Sequence, residues 1–273
     1  MKQFSNFSAL AAGALMGCML VFPREAAESV LAGLAGFARG VLPALLPFSV
    51  CALLLTEGHS LPAPLLTLLS LLGGSPAGAR LFQDARLSAG TARRCAAMTG
   101  VMSPMFFLSA LSAWLGSPRA GAVLLGVHIM AALGCGFLLR ERPRGRIALP
   151  PLSVPQAIFQ GSQAMLAVAG SVALGAAAAR MTACALPGLP PRATAVLHSL
   201  LEISGGCRAL AEAGAPLPLL SALLSFSGLS ILLQNAAFWQ KNGLGAGTLA
   251  ALGMLRAALA FLLCAVLVQL RVL

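Results

Sequence analysis

The sequence predicts an all-α, polytopic membrane protein with about seven spanning helices, two re-entrant hairpins and inverted repeats. Hydrophobic residues make up 59% of the chain and charged residues only 9%, so the chain is far more apolar than a soluble globular domain. A pattern of glycine, arginine, acidic and small residues also occurs twice. Matched interruptions in two hydrophobic halves are typical of transporters built from internal repeats.

The two copies of this pattern lie 128 positions apart. The first copy consists of Gly78, Arg80, Asp84, Thr99 and Gly100, and the second of Gly206, Arg208, Glu212, Ser227 and Gly228. Both copies place polar or flexible residues inside apolar sequence, where lipid would exclude them. Each copy therefore predicts a break in a membrane-embedded helix.

Charge indicates the orientation of the chain in the membrane. The formal net charge is +11, and the basic residues lie mainly between apolar segments, as the positive-inside rule requires. The densest cluster, Arg140–Arg146, predicts a cytoplasmic linker over residues 140–155. Counting back through the crossings places the basic stretch 80–94 and the N-terminus on the same side. The sequence thus predicts a multi-pass protein of the cell membrane with a cytoplasmic N-terminus.

The N-terminal elements precede the first break. Residues 1–26 are predicted to form an extra transmembrane helix with its apolar span at 6–22. Residues 27–56 form a long apolar stretch interrupted by Pro43 and Pro47. Since proline disrupts a helix interior, an interfacial section leading into a bent crossing is expected.

The first repeat is predicted over residues 27–139. The apolar pieces 62–72 and 77–87 are each too short to span, and Gly73–Pro76 separates them, which predicts a re-entrant hairpin. Two crossings are expected to follow, at 91–115 with interruptions near Thr99 and Ser103, and at 119–139.

The second repeat, residues 156–273, follows the same plan. We expect a crossing at 156–180, a hairpin at 193–214 broken at Gly205–Gly206, an interrupted crossing at 216–240, and a last crossing at 246–271 that contains Arg256. Three crossings separate the two hairpins, and an odd number inverts the second repeat relative to the first, as alternating access between two symmetry-related states requires.

Four segments in this order carry a family resemblance: Leu45–Phe48, Gly74–Arg80, Glu202–Gly206 and Ser227–Gln234. Together they resemble the sporulation integral membrane protein YlbJ family, which belongs to the nucleoside-recognition Gate-domain group. The resemblance covers roughly residues 40–240, and it implies that the repeats at 27–139 and 156–273 are Gate-like. It implies a role in moving dipicolinic acid across a membrane around the developing spore.

Both hairpin turns are candidate anion sites. Each turn precedes a new half-helix of its predicted hairpin. The residues are Gly74 and Ser75 in the first turn and Ser204, Gly205 and Gly206 in the second. The first amides of a helix are unpaired and carry partial positive charge, so they can hold an anion.

Arg80 and Arg208 lie one turn further along. Either guanidinium could bind a substrate carboxylate in a bidentate manner. Each could instead pair with the acid four residues on, Asp84 or Glu212, and so allow the hairpin to sit in lipid. The sequence leaves both roles open.

Glu202 has no counterpart, because Gly74 holds the matching position. An acid without a repeat partner is a candidate proton ligand, sodium ligand or contact for a substrate amine, but it could also cap a half-helix or face the outer water layer. Small polar residues near the breaks could hydrogen-bond a solute. They are Ser103, Ser227, Ser230, Gln234 and Asn235.

Three functions are compatible with these residues. The first is a transporter or facilitator for a small anionic metabolite such as dipicolinate, with its site between residues 74–80, 202–208 and 227–235. The second is a nucleoside transporter, in which Gln234, Asn235 and Glu202 contact the ligand. The third is a non-transporting membrane scaffold for spore or envelope assembly.

Other classes of protein find no support in the sequence. The seven cysteines are dispersed, which is typical of packing residues rather than of disulfides or metal ligands. No motif activates Ser230 as a nucleophile, His128 is predicted to be a packing residue, and an enzyme is not expected. We expect no cofactor and no nucleic-acid partner, with proton or sodium coupling unspecified. The expected partners are the solute and the lipid bilayer, and a homo-oligomer is left open.

Overall fold

The computed structural model describes residues 2–85, 87–139 and 146–271 of the protein. These residues form an all-α, membrane-embedded chain with one short pair of strands. The predicted cytoplasmic cluster at 140–145 lies outside the described residues.

Fifteen helices and two strands occur in the described ranges. The helices are α1 (Lys2–Val21), α2 (Pro23–Gly36), α3 (Leu42–Thr56), α4 (Ala63–Gly73), α5 (Ala77–Phe82), α6 (Ala89–Thr99), α7 (Pro104–Phe106), α8 (Ser112–Trp114), α9 (Pro118–Leu138), α10 (Val154–Ala185), α11 (Pro191–Leu201), α12 (Ile203–Glu212), α13 (Leu217–Phe226), α14 (Gly228–Trp239) and α15 (Ala246–Gln269). The π-helical segments Phe37–Val41 and Phe107–Leu111 join α2 to α3 and α7 to α8, and the 3₁₀ turn Gln240–Asn242 follows α14. The strands are β1 (Ser60–Pro62) and β2 (Arg146–Ala148).

Five described stretches are long and apolar enough to cross a membrane: Ala89–Trp114, Pro118–Leu138, Val154–Ala185, Leu217–Asn242 and Ala246–Gln269. A sixth span is possible by length if α1 and α2 are counted together, although they meet at an angle of 108°. The bent crossing expected at 27–56 falls into separate helical pieces. Its second piece, Leu45–Thr56, is shorter than the roughly 20 residues that a span needs.

The breaks expected from glycine and proline are present in three of the four places. Residues 74–76 separate α4 from α5, residues 100–103 separate α6 from α7, and Ser227, with φ of 75°, separates α13 from α14. The second hairpin differs, because its break lies at Glu202 rather than at Gly205–Gly206.

Both of those glycines belong to the first turn of α12, and close packing explains their presence. A Cβ atom on Gly206 would clash with the backbone nitrogen of Ser199 in α11. Gly206 therefore lets the two half-helices approach each other and does not end a helix.

Helix boundaries recur at the interval of the residue pattern. Helices α4 and α11 begin at residues 63 and 191 and end at 73 and 201, an interval of 128 at both ends. The starts of α6 and α13, at 89 and 217, and of α9 and α15, at 118 and 246, differ by the same 128. The repeat in the sequence is thus accompanied by a repeat in the placement of helices along the chain.

The paired strands were not predicted from the sequence. Strands β1 and β2 are antiparallel, with Ser60 opposite Ala148 and Pro62 opposite Arg146. The amide of Gly58 extends the contact by donating to the carbonyl of Pro150 at 3.2 Å. This pairing places the entrance of the first hairpin beside the linker that was expected to be a simple loop.

The two halves share their core. Helix α10 packs against α2, α3 and α14, while α15 packs against α9 and α13. Phe82 of α5 stacks on Trp239 of α14 with ring centroids 5.5 Å apart, and both side chains are fully buried. This contact fixes the end of the first hairpin to the interrupted crossing of the second half.

Candidate functional site

A cavity of about 550 Å³ is lined by residues of α2, α3 and the α7–α8 segment from the first half and of α10, α11 and α12 from the second half. Its polar wall contains Ser103, Arg180, His198, Glu202, Ser204 and Arg208. Its apolar wall includes Phe37, Phe106 and Trp114. The volume and the mixed lining are those of a small-molecule site.

Glu202 caps the N-terminus of α12. Its Oε2 accepts a hydrogen bond from the amide of Gly205 at 2.7 Å, and its Oε1 accepts one from the amide of Ser204 at 2.9 Å. The residue is only 4% exposed. The anion cradle predicted at residues 204–206 is therefore filled by a carboxylate of the protein itself, at the end of the helix where negative charge is favourable.

His198 stands beside this carboxylate. A Cβ atom on Gly205 would lie 2.9 Å from His198 Nε2 and 3.1 Å from Glu202 Oε2. The imidazole and the carboxylate thus both border the backbone of Gly205, at the wall of the cavity. The absence of a side chain at Gly205 leaves room for both groups.

The two repeated arginines have different surroundings. Arg208 Nε lies 2.8 Å from Glu212 Oε1, its side chain is 62% exposed, and it lines the cavity. Arg80 is 10% exposed, pairs with Asp84 at 3.3 Å and contacts the side chain of Gln83. Both structural pairs considered from the sequence are therefore present, but only Arg208 also borders the large cavity.

Asp84 joins the first hairpin to the second half. Its Oδ1 lies 2.7 Å from Lys241 Nζ, and its Oδ2 accepts the hydrogen bond from Arg80. Partial burial raises the pKa of Asp84, but the hydrogen bond and charge of Lys241 and the charge of Arg80 outweigh it, and the pKa lies below its ordinary value. Arg80 belongs to this ion-pair network at the mouth of the hairpin.

The first hairpin turn is packed rather than open. A Cβ atom on Gly74, whose φ is 67°, would clash with the backbone nitrogen of Ser103. The amide of Ser75 donates a hydrogen bond to the carbonyl of Val101 at 2.6 Å, and the hydroxyl Oγ of Ser75 accepts one from Asn235 Nδ2 at 3.0 Å. The turn predicted to cradle an anion instead contacts both interrupted crossings.

The polar residues of the second interrupted crossing are also internal. Ser227 Oγ donates to the carbonyls of Gly100 and Leu224 at 3.4 and 3.3 Å, and Gln234 Nε2 donates to Ser171 Oγ. Ser230 Oγ is buried without a partner among the described residues.

The site predicted from the sequence is therefore divided between two places. Ser103, Glu202, Ser204, Gly205 and Arg208 line the large cavity. Gly74, Ser75, Ser227, Ser230, Gln234 and Asn235 are not among its lining residues and lie in the interior, while Gly206 packs on α11 and Arg80 on the ion-pair network.

Arg256 on α15 and His128 on α9 form hydrogen bonds with backbone and side-chain groups at the breaks in the two interrupted crossings. Arg256 Nη1 donates to the carbonyl of Ala97 at 3.2 Å, and its Nε donates to the carbonyl of Ser225 at 3.3 Å. Those carbonyls lie in the last turns of α6 and α13, where helix carbonyls lack internal partners. A single buried guanidinium thus bridges the ends of both interrupted crossings.

His128 acts in the same region. Its Nε2 accepts a hydrogen bond from the amide of Met102 at 3.1 Å, so its Nδ1 carries the proton and donates to Ser225 Oγ at 2.8 Å. His128 and Arg256 are 128 positions apart, and so are Ala97 and Ser225. This spacing, which is that of the repeat, is the signal that could have identified His128 and Arg256 from the sequence.

Three further cavity residues escaped the sequence analysis: Arg180, His198 and Trp114. They lie on α10, α11 and α8, and only packing brings these elements together. The described residues include no group of three or more His, Cys, Asp or Glu side chains that could hold a metal ion.

Comparison of the chain with protein-family models, curated proteins and solved structures finds no match.

Proposed function

We propose that this protein is a membrane carrier for a small organic anion. The cavity of about 550 Å³, whose lining includes both Arg180 and Arg208 and the aromatic rings of Phe106 and Trp114, carries the proposal. A guanidinium binds a carboxylate in a planar, bidentate arrangement, and aromatic walls suit an apolar body. The cavity thus favours a ligand with both an acidic group and a flat apolar part.

The available charge at the cavity is positive. Glu202 already accepts two amide hydrogen bonds, so its charge is offset by the start of α12. Arg208 pairs with Glu212 at the surface, where such pairs contribute little, and Arg180 forms no ion pair with a described residue. Both arginines can therefore turn to an anionic solute.

Dipicolinate is the first substrate to test. It has an aromatic ring with two carboxylates, which matches two guanidinium groups and an aromatic wall. The resemblance of Gly74–Arg80 and Glu202–Gly206 to the sporulation family favours the same compound. A nucleoside is disfavoured, because Gln234 and Asn235, the residues expected to contact it, bond Ser171 and Ser75 within the protein.

Transport would result from two inverted halves that rock against each other. The helix boundaries that recur at 128 positions support this architecture, and three stretches able to cross the membrane separate the two hairpins. Residues of both halves also line the cavity. Opening it alternately to the two faces of the cell membrane would move the anion across.

The test is uptake of labelled dipicolinate and labelled uridine by proteoliposomes that contain the purified protein. We expect saturable dipicolinate uptake, reduced about 10- to 100-fold by Arg208→Gln at low substrate, since hydrogen bonds to charged groups contribute about 1.5–3 kcal/mol. Arg24→Gln is the matched control, because Arg24 forms an exposed pair with Glu28 outside the cavity.

Each other outcome changes the conclusion. Uridine uptake would support the nucleoside carrier. If folded protein moves neither solute above empty liposomes, both named substrates are excluded and the scaffold becomes the better account. An equal loss in the Arg24→Gln variant would show that the cavity arginine has no particular role.

A further inference from the structure

A second, much smaller pocket lies between α6, α14 and α15, at the level of the helix breaks. Its volume is about 10 Å³, and Gly100, Ser227, Asn235, Trp239 and Arg256 contribute to its lining. The cavity proposed for transport shares none of these residues. The pocket is therefore a separate feature of the molecule, and its occupancy does not depend on the carrier proposal.

Two polar atoms at this pocket lack a partner within the described part of the chain. They are Trp239 Nε1, a donor, and Asn235 Oδ1, an acceptor. Trp239 is 0% exposed and Asn235 is 5% exposed. The two residues are four positions apart on α14, so their side chains are neighbours on one face of the helix. A buried donor and a buried acceptor thus belong to neighbouring residues that line the same pocket.

Neither side chain is free to turn away. The indole of Trp239 stacks on Phe82 at a centroid distance of 5.5 Å and an interplanar angle of 20°. The amide of Asn235 is oriented by its Nδ2, which donates to Ser75 Oγ at 3.0 Å. Buried polar groups are nearly always hydrogen-bonded, so two unpaired atoms on residues that line this pocket argue for a ligand in it.

We propose that the pocket binds one water molecule that accepts a hydrogen bond from Trp239 Nε1–H and donates one to Asn235 Oδ1. A cavity of roughly 10–15 Å³ is the least that holds a water, and such a water needs at least two polar partners. Water supplies both the acceptor and the donor that the two atoms require. One molecule of this size therefore satisfies the volume and the chemistry together.

Ions fit the pocket less well. The guanidinium of Arg256 repels a cation. An anion is not needed to balance Arg256, because that side chain bonds carbonyls in the last turns of α6 and α13, where helices carry partial negative charge. Asn235 Oδ1 would in addition repel an anion.

The water is a positioning element for the first hairpin. Its bond to Oδ1 adds to the bond from Nδ2 to Ser75 at the hairpin turn, so that both ends of the Asn235 amide are held. Through this bond the bound water helps to hold the first hairpin against the interrupted crossing of the second half.

A high-resolution structure of the whole protein tests the proposal. We expect an ordered solvent peak about 2.7–3.2 Å from both Trp239 Nε1 and Asn235 Oδ1. In Trp239→Phe, which keeps a ring against Phe82 but lacks the N–H, the peak is lost. In the control variant Trp114→Phe it is retained.

Three observations would overturn the proposal. They are a wild-type pocket without a peak although both side chains are ordered, a peak that persists in Trp239→Phe, and an anomalous peak in the pocket of protein crystallised with bromide. The last result would identify an anion site.

Thermal unfolding gives a second readout. If one water joins the two side chains, the loss in Tm for the double variant Trp239→Phe/Asn235→Leu is smaller than the sum of the two single losses. Additive losses contradict a shared water. If neither single variant folds, the wild-type structure decides alone.

Discussion

At the scale of single residues, Glu202 has the clearest assignable role. The sequence marked it because Gly74 stands at the matching position in the other half, but its partners could not be inferred. In the structure it binds two amides at the start of α12, so it is a helix cap whose side chain also borders the cavity.

Removing this carboxylate should destabilise the protein and create an anion site. Glu202→Ala is expected to lower the free energy of unfolding by about 0.5–2 kcal/mol, the usual effect of losing an N-cap. Because the amides of Ser204 and Gly205 then lack a partner, added chloride or phosphate should raise the Tm of the variant more than that of wild type. Thermal unfolding in detergent across an anion series measures both effects.

Glu202→Gln serves as the matched variant, since it keeps one acceptor oxygen and should lose less stability. An unchanged Tm in Glu202→Ala, or an anion response equal to that of wild type, would show that the cap contributes nothing.

Residue spacing predicted local pairs better than distant contacts. The ion pairs Arg80–Asp84 and Arg208–Glu212 follow from a separation of four positions on a helix. The link from Asp84 to Lys241 could not be predicted in this way, because it depends on how α5 packs near the end of α14.

At the scale of elements, the interrupted crossings depend on their neighbours. A break in a membrane helix frees carbonyls and amides that lipid cannot satisfy. Here Arg256 of α15 donates hydrogen bonds to the carbonyls of Ala97 and Ser225, and His128 of α9 accepts one from the amide of Met102. Two of the three unbroken crossings, α9 and α15, thus stabilise the two broken ones.

Arg256→Met should therefore destabilise both breaks at once. The variant keeps an apolar stem of similar length but leaves two buried carbonyls without a donor, at about 1–3 kcal/mol each. The measurement is thermal unfolding of purified protein in detergent. Arg24→Met is the control, because an exposed pair contributes only about 0–1 kcal/mol. Equal stability of the two variants would mean that other groups satisfy the helix ends.

Glycine and proline predicted most of the breaks but not their detailed placement. Gly74 and Ser227 mark breaks because the chain there adopts positive φ. Gly206 also predicted a break, but it lies within α12, and a glycine is needed there because the backbone closely approaches Ser199. The strands β1 and β2 have three residues each and pair across the intervening segment 63–145, so no local pattern could reveal them.

At the scale of the whole molecule, the repeat predicts where each loop lies relative to the membrane. Ala148 is in β2, on the linker side, and Gly188 is in the turn after α10. These two positions should lie on opposite faces, because α10 crosses between them.

Single cysteines introduced at these positions into a cysteine-free protein provide the measurement. In intact cells, a membrane-impermeant maleimide should label Gly188→Cys, and it should label Ala148→Cys only after permeabilisation. Labelling of both from outside would contradict the predicted topology, and the reverse pattern would invert the orientation inferred from the basic residues.

Composition was sufficient to predict a helical membrane protein, since its apolar stretches exceed the length of a span. The large cavity could not be predicted, because its walls come from α2, α8, α10 and α12, which are far apart in the sequence. Arg180 and Trp114 acquire a shared role only when those helices pack.

The difference between Gly74 and Glu202 has an energetic consequence for the two halves. In a rocking carrier with two identical inverted halves, the inward-facing and outward-facing forms would be related by a two-fold rotation and would have equal free energy. One half of this protein carries a buried carboxylate and the other a glycine tightly packed against Ser103. In the proposed carrier, this difference would give the two forms unequal free energies even without a solute, so the resting protein would favour one side of the membrane.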